Sequence, residues 1–257
     1  MKKSINIYCN SCLSSIEKIK KIKDAGFDEF FTGISTHNET LSHVEQIKFA
    51  QSIGLPCTMV HCQYSNLTLH EFWKKSWLGK KVFNNFLKQI KSCKGLTKNF
   101  AIHLNSYEPF VGTKLGLTRI KKLLKLCNKL DINLCVENLN TPDSIRYIFS
   151  NLNHPKLRIC YDLGHQNFAT PNFDIVKEFG NYIEVLHIHD NNGISDEHKP
   201  LKKGSTVYNR FADNLKLLKP EIVLTNEVKH LETNFEKDLK SILNTLSTLE
   251  NNAFTNK

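Results

Sequence analysis

Two rhythms of apolar positions alternate along the chain. Short β-rich runs occur at residues 4–9, 29–32, 57–62, 100–104, 132–137, 157–162, 183–187 and 222–227. Between them, apolar side chains recur at helical spacing. Leu13, Ile16, Ile19 and Ile22 mark a first helix, with Gly26 placed to stop it. Residues 39–52 form a second, and Val82, Phe83, Phe86, Leu87 and Ile90 a third. Leu117, Ile120, Leu124, Cys127 and Leu130 mark a fourth, and a short helix follows Pro142. Residues 173–179 and 209–218 supply two more, and Leu239, Ile242, Leu243, Leu246 and Leu249 close the chain. Residues 251–257 are expected to be a frayed tail after one domain spanning 1–250.

Strict alternation of strand and helix predicts a parallel sheet. Two of the strands, 132–137 and 157–162, are nearly continuous apolar runs, as burial on both faces requires. Eight such units in about 250 residues predict an α/β fold of the closed (β/α)8 TIM barrel type, in a single domain. An open doubly wound sheet would call for a glycine-rich phosphate loop after an early strand, and neither GxGxxG nor GxxxxGK[ST] occurs.

Composition narrows the class without naming a chemistry. The chain has 257 residues, 40% of them hydrophobic and 23% charged, which excludes disorder and a disulfide mini-scaffold. No apolar run approaches the ~20 residues of a membrane helix, and residues 1–8 lack the apolar core of a signal peptide. A cytoplasmic protein without membrane contact is expected. The net charge of +10 points weakly to anionic partners, since solvated lysines on outer helices give the same excess. Eight cysteines dispersed through apolar segments suggest reduced thiols. Among them, Cys9 and Cys12 form a CxxC at the end of the first strand. With no second CxxC, a structural role is favoured over a redox one.

The chemistry concentrates at strand ends. Strand three ends in His61, strand four in His103 and strand five in Glu137-Asn138. Strand six ends in Asp162-Leu163-Gly164-His165, strand seven in His187-Ile188-His189-Asp190, and strand eight in Glu227. The loop after strand seven adds Asp196-Glu197-His198. In a barrel all these ends meet at one mouth, where catalytic groups collect. Each residue alone has an ordinary explanation: a strand-end histidine is often a hydrogen-bonded core residue, and Asp162 could cap a helix. Six such explanations at one face are less economical than one cation. Carboxylates crowded in a partly dry mouth need positive charge among them. Imidazole with carboxylate suits one to three ions of Zn²⁺ or Mn²⁺, and the absence of cysteine there argues for an open catalytic site.

His189 lies two residues beyond His187 and is expected to hold a ligand or touch substrate rather than ligate. The segment from Gln63 to about Gly79, with Trp73 and Trp77, is either a lid over the mouth or packing on the barrel. Trp73, Lys202 and Lys203 are candidate substrate contacts. His37, His43, His70, His154 and His230 have no placement that suggests ligation.

Together the motifs Val136-Glu137-Asn138, Asp162-Leu163-Gly164-His165, His187-Ile188-His189-Asp190-Asn191, Asp196-Glu197-His198-Lys199-Pro200-Leu201 and Glu227 resemble the xylose-isomerase-like TIM-barrel superfamily. That group holds sugar and sugar-phosphate isomerases and epimerases, and endonuclease IV. The isomerase branch implies one divalent metal on Glu137, Asp162, His187 and Glu227, with Glu137 and Glu227 as the proton-transferring pair. The endonuclease branch implies three zinc ions on His61, His103, Glu137, Asp162, His165, His187, Asp196, His198 and Glu227. All nine residue types are present. Gly164, Asn191-Asn192 and Lys202-Lys203-Gly204 depart from the endonuclease or common loop patterns, and no arginine lies between His187 and Lys199. The resemblance therefore implies a sugar or sugar-phosphate isomerase or epimerase. The alternative is a multi-zinc phosphodiester hydrolase acting on nucleic acid at abasic sites. A dehydratase or lyase on a small polyol or keto acid is a third possibility. The substrate and oligomeric state are left open.

Overall fold

Every strand of the sheet carries an inward-facing residue whose neighbour two positions on also points inward, because side chains alternate along a strand. That period governs the whole architecture. The computed structural model describes residues 1–9, 12–34, 41–105, 109–229 and 234–255. His37, His230, Asn10 and Ser11, and the expected helix start at residues 39–40, lie outside them.

The eight strands are β1 (Lys3–Asn6), β2 (Glu29–Gly33), β3 (Cys57–His61), β4 (Asn99–Ile102), β5 (Asn133–Glu137), β6 (Leu157–Asp162), β7 (Ile183–His187) and β8 (Leu224–Asn226). They pair in parallel in the order β7-β6-β5-β4-β3-β2-β1-β8. Past β7, the Ile188 amide donates to the Thr225 carbonyl at 2.8 Å and the Glu227 amide to the Ile188 carbonyl at 3.0 Å. These bonds bring β7 against β8 and nearly close the ring. The chain is thus a single-domain TIM barrel, as its periodicity predicts.

Helices α1 (Ser15–Ala25), α2 (His43–Ser52), α3 (Trp77–Ser92), α4 (Lys114–Leu130) and α5 (Asp143–Asn151) are followed by α6 (Leu163–Ala169), α7 (Ile175–Phe179), α8 (Thr206–Leu215) and α9 (Phe235–Thr255). Their starts follow local chemistry. Ser14 with Glu17, and Ser42 with Glu45, form reciprocal capping boxes on α1 and α2. Gly26 ends α1 at φ 98°, a conformation that a side chain would strain.

One expectation about elements needs correction, and one left open is decided. Residues 251–255 continue α9, and Ala253 is buried, so the end of the described chain is packed helix rather than frayed tail. Of the two roles left open for the segment after β3, lid or packing, its central part takes the second. It folds into a short 3-10 turn at Leu69–Trp73, which buries Leu69, Phe72 and Trp73 against the barrel.

The barrel interior is a small apolar layer of Phe31, Met59, Ala101, Cys135, Cys160 and Val185. A larger core fills the space between strands and helices. All eight cysteines are free thiols; Cys9 is buried and Cys12 exposed. No helix among the described residues is long and apolar enough to cross a membrane.

Candidate metal centre at the barrel mouth

Counting two residues past the interior layer builds the site. Met59 leads to His61, Ala101 to His103, Cys135 to Glu137, Cys160 to Asp162 and Val185 to His187. Each lands one layer higher on the same inner face. On β8, Thr225 leads in the same way to Glu227.

The side chains converge. Glu137 Oε2 lies 3.2 Å from His61 Nε2, 3.0 Å from His103 Nε2 and 3.4 Å from His187 Nδ1. Its other oxygen, Oε1, lies 3.1 Å from His165 Nδ1. His187 Nδ1 is also 3.2 Å from Glu227 Oε2 and 3.6 Å from Asp162 Oδ2. Asp196 Oδ2 lies 2.8 Å from His198 Nε2 and 3.5 Å from His165 Nε2. His198 Nδ1 is 3.6 Å from Glu227 Oε2.

Neighbouring groups fix these orientations. Asp162 caps α6, its Oδ1 accepting the His165 amide at 2.6 Å. The ordinary capping role and the mouth position therefore belong to one residue. Asn138 locks the same turn, with its amide nitrogen donating to the Asp162 carbonyl and its oxygen accepting the Asp162 amide. Lys199 and Asp190 exchange backbone bonds of 3.0 and 2.8 Å, folding the loop back so that Asp196 and His198 face the mouth. His198 adopts φ 47°, a left-handed conformation uncommon for a non-glycine residue, and its ring stacks on His189 at 4.0 Å. His189 is completely buried, with Nε2 3.1 Å from Asp162.

Burial pushes the carboxylates up, but the surrounding imidazoles outweigh it. His103 and His187 hold Glu137 well below the ordinary carboxylate range. His165 and His189 do the same for Asp162. His187 and His198 bring Glu227 to about 2. Conversely, burial pulls His165 down, while Asp162, Asp196 and Glu137 raise it well above 6.5. Without a metal, protons on imidazole supply the positive charge that the acids require.

The donor set fits a divalent cation. The Cys62 carbonyl can only accept, so His61 Nδ1, 2.9 Å away, carries the proton. Nε2 is therefore the ring nitrogen that faces the Glu137 carboxylate. Both nitrogens of His187 and Nδ1 of His198 are buried without a hydrogen bond of proper geometry, as is Asp196 Oδ1. Imidazole nitrogens and carboxylate oxygens converging at these distances suit a shared cation. Five groups among the described residues have donor atoms mutually within 4.8 Å, among them His61, Glu137 and His187; Asp162, His187 and Glu227; and His165, Asp196 and His198.

Above the cluster is a cavity of about 340 Å³ walled by Tyr8, Ile34, Gln63, Tyr64 and Lys229. A model of the xylose isomerase-like TIM barrel family matches residues 19–245. The chain belongs to that family. An uncharacterized protein of Methanocaldococcus jannaschii is 26% identical over 182 residues, 66% of this chain and 70% of that protein. The fold is similar to that of D-psicose 3-epimerase from Clostridium cellulolyticum H10, with TM-score 0.76, 14% identity and coverage of 97% and 99% of the two chains. It is similar also to an L-ribulose 3-epimerase, with TM-score 0.78, 14% identity and coverage of 98% and 96%.

For this xylose isomerase-like barrel, all nine sequence-predicted ligand positions meet at one mouth. His189 joins them by bonding to Asp162, and it also shares a donor group with His198 and Glu227. The other three candidate substrate contacts do not join them. Trp73 is buried among Phe72, Phe110 and Tyr147, and its indole N–H donates to the Leu104 carbonyl. Lys202 and Lys203 are exposed along a separate groove beside α9. Of the histidines set aside, His43 bonds to Ser92, His70 pairs with Glu71 and His154 accepts the Lys156 amide, all away from the mouth. Sequence reasoning missed Tyr8, Tyr64 and Lys229. Tyr8 donates its hydroxyl to Glu227 Oε1, and the Tyr64 ring lies 4.0 Å from that of His103. Tyr8 stands two residues past inward-facing Asn6, so the period that selected the other ligands would have found it.

Proposed function

We propose that this chain is a divalent-metal-dependent enzyme that moves a proton beside the carbonyl of a small sugar or sugar phosphate, as an isomerase or epimerase. The observation that carries the reading is the placement of Glu137 and Glu227. They stand on β5 and β8, meet at His187, and form the floor of a 340 Å³ cavity sized for a small molecule. The fold likeness to enzymes named as D-psicose and L-ribulose 3-epimerases agrees with it.

Glu137, Asp162, His187 and Glu227 would hold the ion, which when bound polarises a carbonyl and acidifies the neighbouring C–H. The two glutamates approach from different sides of the mouth, so one removes the proton and the other returns it. In the absence of the ion the imidazoles hold both ionised, the form the base needs, and the glutamate that returns a proton must first take one up. Tyr8 fixes one oxygen of Glu227 and leaves Oε2 directed at the cluster. Tyr64, Gln63 and Ile34 restrict water above the reacting carbon. General acid–base help of this kind contributes about 10²–10⁴-fold.

One observation favours a second reading, hydrolysis of a phosphate ester. The two oxygens of Glu137 face different imidazoles, and the nine donors exceed the four or so that one zinc ion takes. A set that large fits up to three ions and the activation of water. The +10 charge is compatible with a nucleic-acid substrate under this reading.

The test combines metal analysis of purified protein, deuterium uptake from D₂O into ketoses and ketose phosphates, and incision of an abasic-site duplex. Deuterium uptake that Glu227→Gln abolishes, with the fold intact by circular dichroism, is the expected result. Metal-dependent incision with three tightly held ions and no deuterium uptake would replace the first reading by the second.

A further inference from the structure

We propose that the groove along the outer face of α3 binds the nucleoside diphosphate part of a nucleotide-linked sugar whose sugar ring occupies the mouth cavity. The inference rests on the sugar reading of the mouth and names its substrate class.

The groove has a volume of about 750 Å³, within the range of ligand sites for sizeable small molecules. It runs between the segment that follows β3 and the helix. Gln63 and Tyr64 wall both this groove and the mouth cavity, so the two spaces adjoin. One extended ligand can occupy both.

Its lining combines two chemistries. Trp77, the first residue of α3, exposes 73% of its surface. Lys81 stands one turn further along, with its ammonium 5.8 Å from the indole centroid. Lys80 lies beside it, and Lys88 extends the same face, roughly 16 Å from Trp77 along the helix. Among the described residues, no aspartate or glutamate lines the groove. None of the three lysines makes an ion pair among the described residues, whereas nearby Lys74 pairs with Glu71 at 3.1 Å. A large exposed ring beside unneutralised cations suits a ligand with both a flat face and negative charge. A base stacked on Trp77 with phosphates on the lysines uses both features. A free sugar can stack on the ring but carries no charge for the lysines.

The probe is UDP, titrated into the metal-loaded full chain by calorimetry. Trp77→Ala and the pair Lys81→Glu, Lys88→Glu are compared with the original sequence. These side chains are exposed, and an unchanged melting temperature verifies the fold of each variant. Saturable UDP binding that weakens by about tenfold or more in both variants is expected. No saturation below ~5 mM, or equal binding in the variants, as contact with the metal alone would give, overturns the proposal. Single-stranded hexathymidylate binding about tenfold more tightly than UDP through the same residues would also overturn it. Failure here is separable from failure of the mouth reading. Turnover of free sugars without UDP binding removes the groove alone, and UDP binding without any deuterium uptake removes the mouth reading alone.

Discussion

Tyr8 and Glu227 are joined by a hydrogen bond from phenol to carboxylate across the seam between β1 and β8. Burial and the charge of Glu227 raise the Tyr8 phenol well above 10, so it remains a protonated donor at physiological pH. With one oxygen held, Glu227 has a single orientation toward His187. Tyr8→Phe keeps the ring packed on Phe31 and removes only the donor. We expect metal affinity to fall about 10- to 100-fold, the usual effect of losing a partner that orients a ligand. Competition with a fluorescent chelator measures this, and unchanged affinity would show that Glu227 is held by other means.

Removing the metal should destabilise the barrel and take up protons. At a free metal concentration 100 times Kd, binding stabilises a fold by about 2.7 kcal/mol. For a chain of this size, that corresponds to roughly 5–10 °C in melting temperature. Chelation should lower Tm by that order, with recovery on adding Zn²⁺ or Mn²⁺. His165, raised well above 6.5 in the metal-free cluster, carries a proton there at neutral pH. A metal binds its deprotonated form, so affinity rises as pH rises toward that elevated pKa, and binding near neutrality releases protons. Calorimetry in two buffers of different ionisation enthalpy should give different apparent heats; identical heats would exclude proton release.

The structure accounts for which residues the sequence disclosed. His61, His103, Glu137, Asp162 and His187 were legible because each ends an apolar strand and has a metal-binding side chain. The barrel was legible for the same reason, since two-residue and helical periods alternate without a break. Tyr8 carries the same positional signal, but a phenol is an uncommon zinc ligand and drew no notice. Helix α6 escaped because it has only seven residues and its cap, Asp162, was already assigned to the mouth. The burial of Trp73 depends on Gly116, whose missing side chain leaves room for the indole. That pairing spans 43 residues, and no local pattern reports it. Lys202 and Lys203 followed a family loop position, and the backbone here turns them toward α9.

Gly164 decides where His189 sits. A methyl group at Gly164 would collide with the His189 ring. That ring is completely buried, bonds to Asp162 and stacks on His198, so it has little room to yield. Gly164→Ala should cost about 1–3 kcal/mol, as overpacking of a tight core does. Loss of metal from the site containing His198 should accompany it. At Gly180 the same methyl group would meet only Val176 at 3.7 Å, an ordinary contact. Gly180→Ala is the control and should change stability by less than about 0.5 kcal/mol. Equal Tm for the two variants would show that the mouth relaxes more readily than its packing indicates.

Asn138 joins the end of β5 to the end of β6 more firmly than any backbone pair at that level. Its side-chain nitrogen donates to the Asp162 carbonyl at 2.8 Å, and its side-chain oxygen accepts the Asp162 amide at 2.7 Å. Its own carbonyl accepts from His165 Nδ1 at 3.0 Å. Asn138→Ala would strand one buried donor and one buried acceptor on Asp162, each costing about 1–3 kcal/mol. Asn138→Asp keeps an acceptor for the amide. It also loses the donor and sets a second carboxylate beside Asp162. We therefore expect about 2–6 kcal/mol of destabilisation from alanine and at least as much from aspartate at neutral pH. Urea unfolding of chelator-treated protein measures this free of metal binding. A stability gap below ~1 kcal/mol in both variants would mean that water replaces the amide, and that Asp162 is positioned by its helix cap alone.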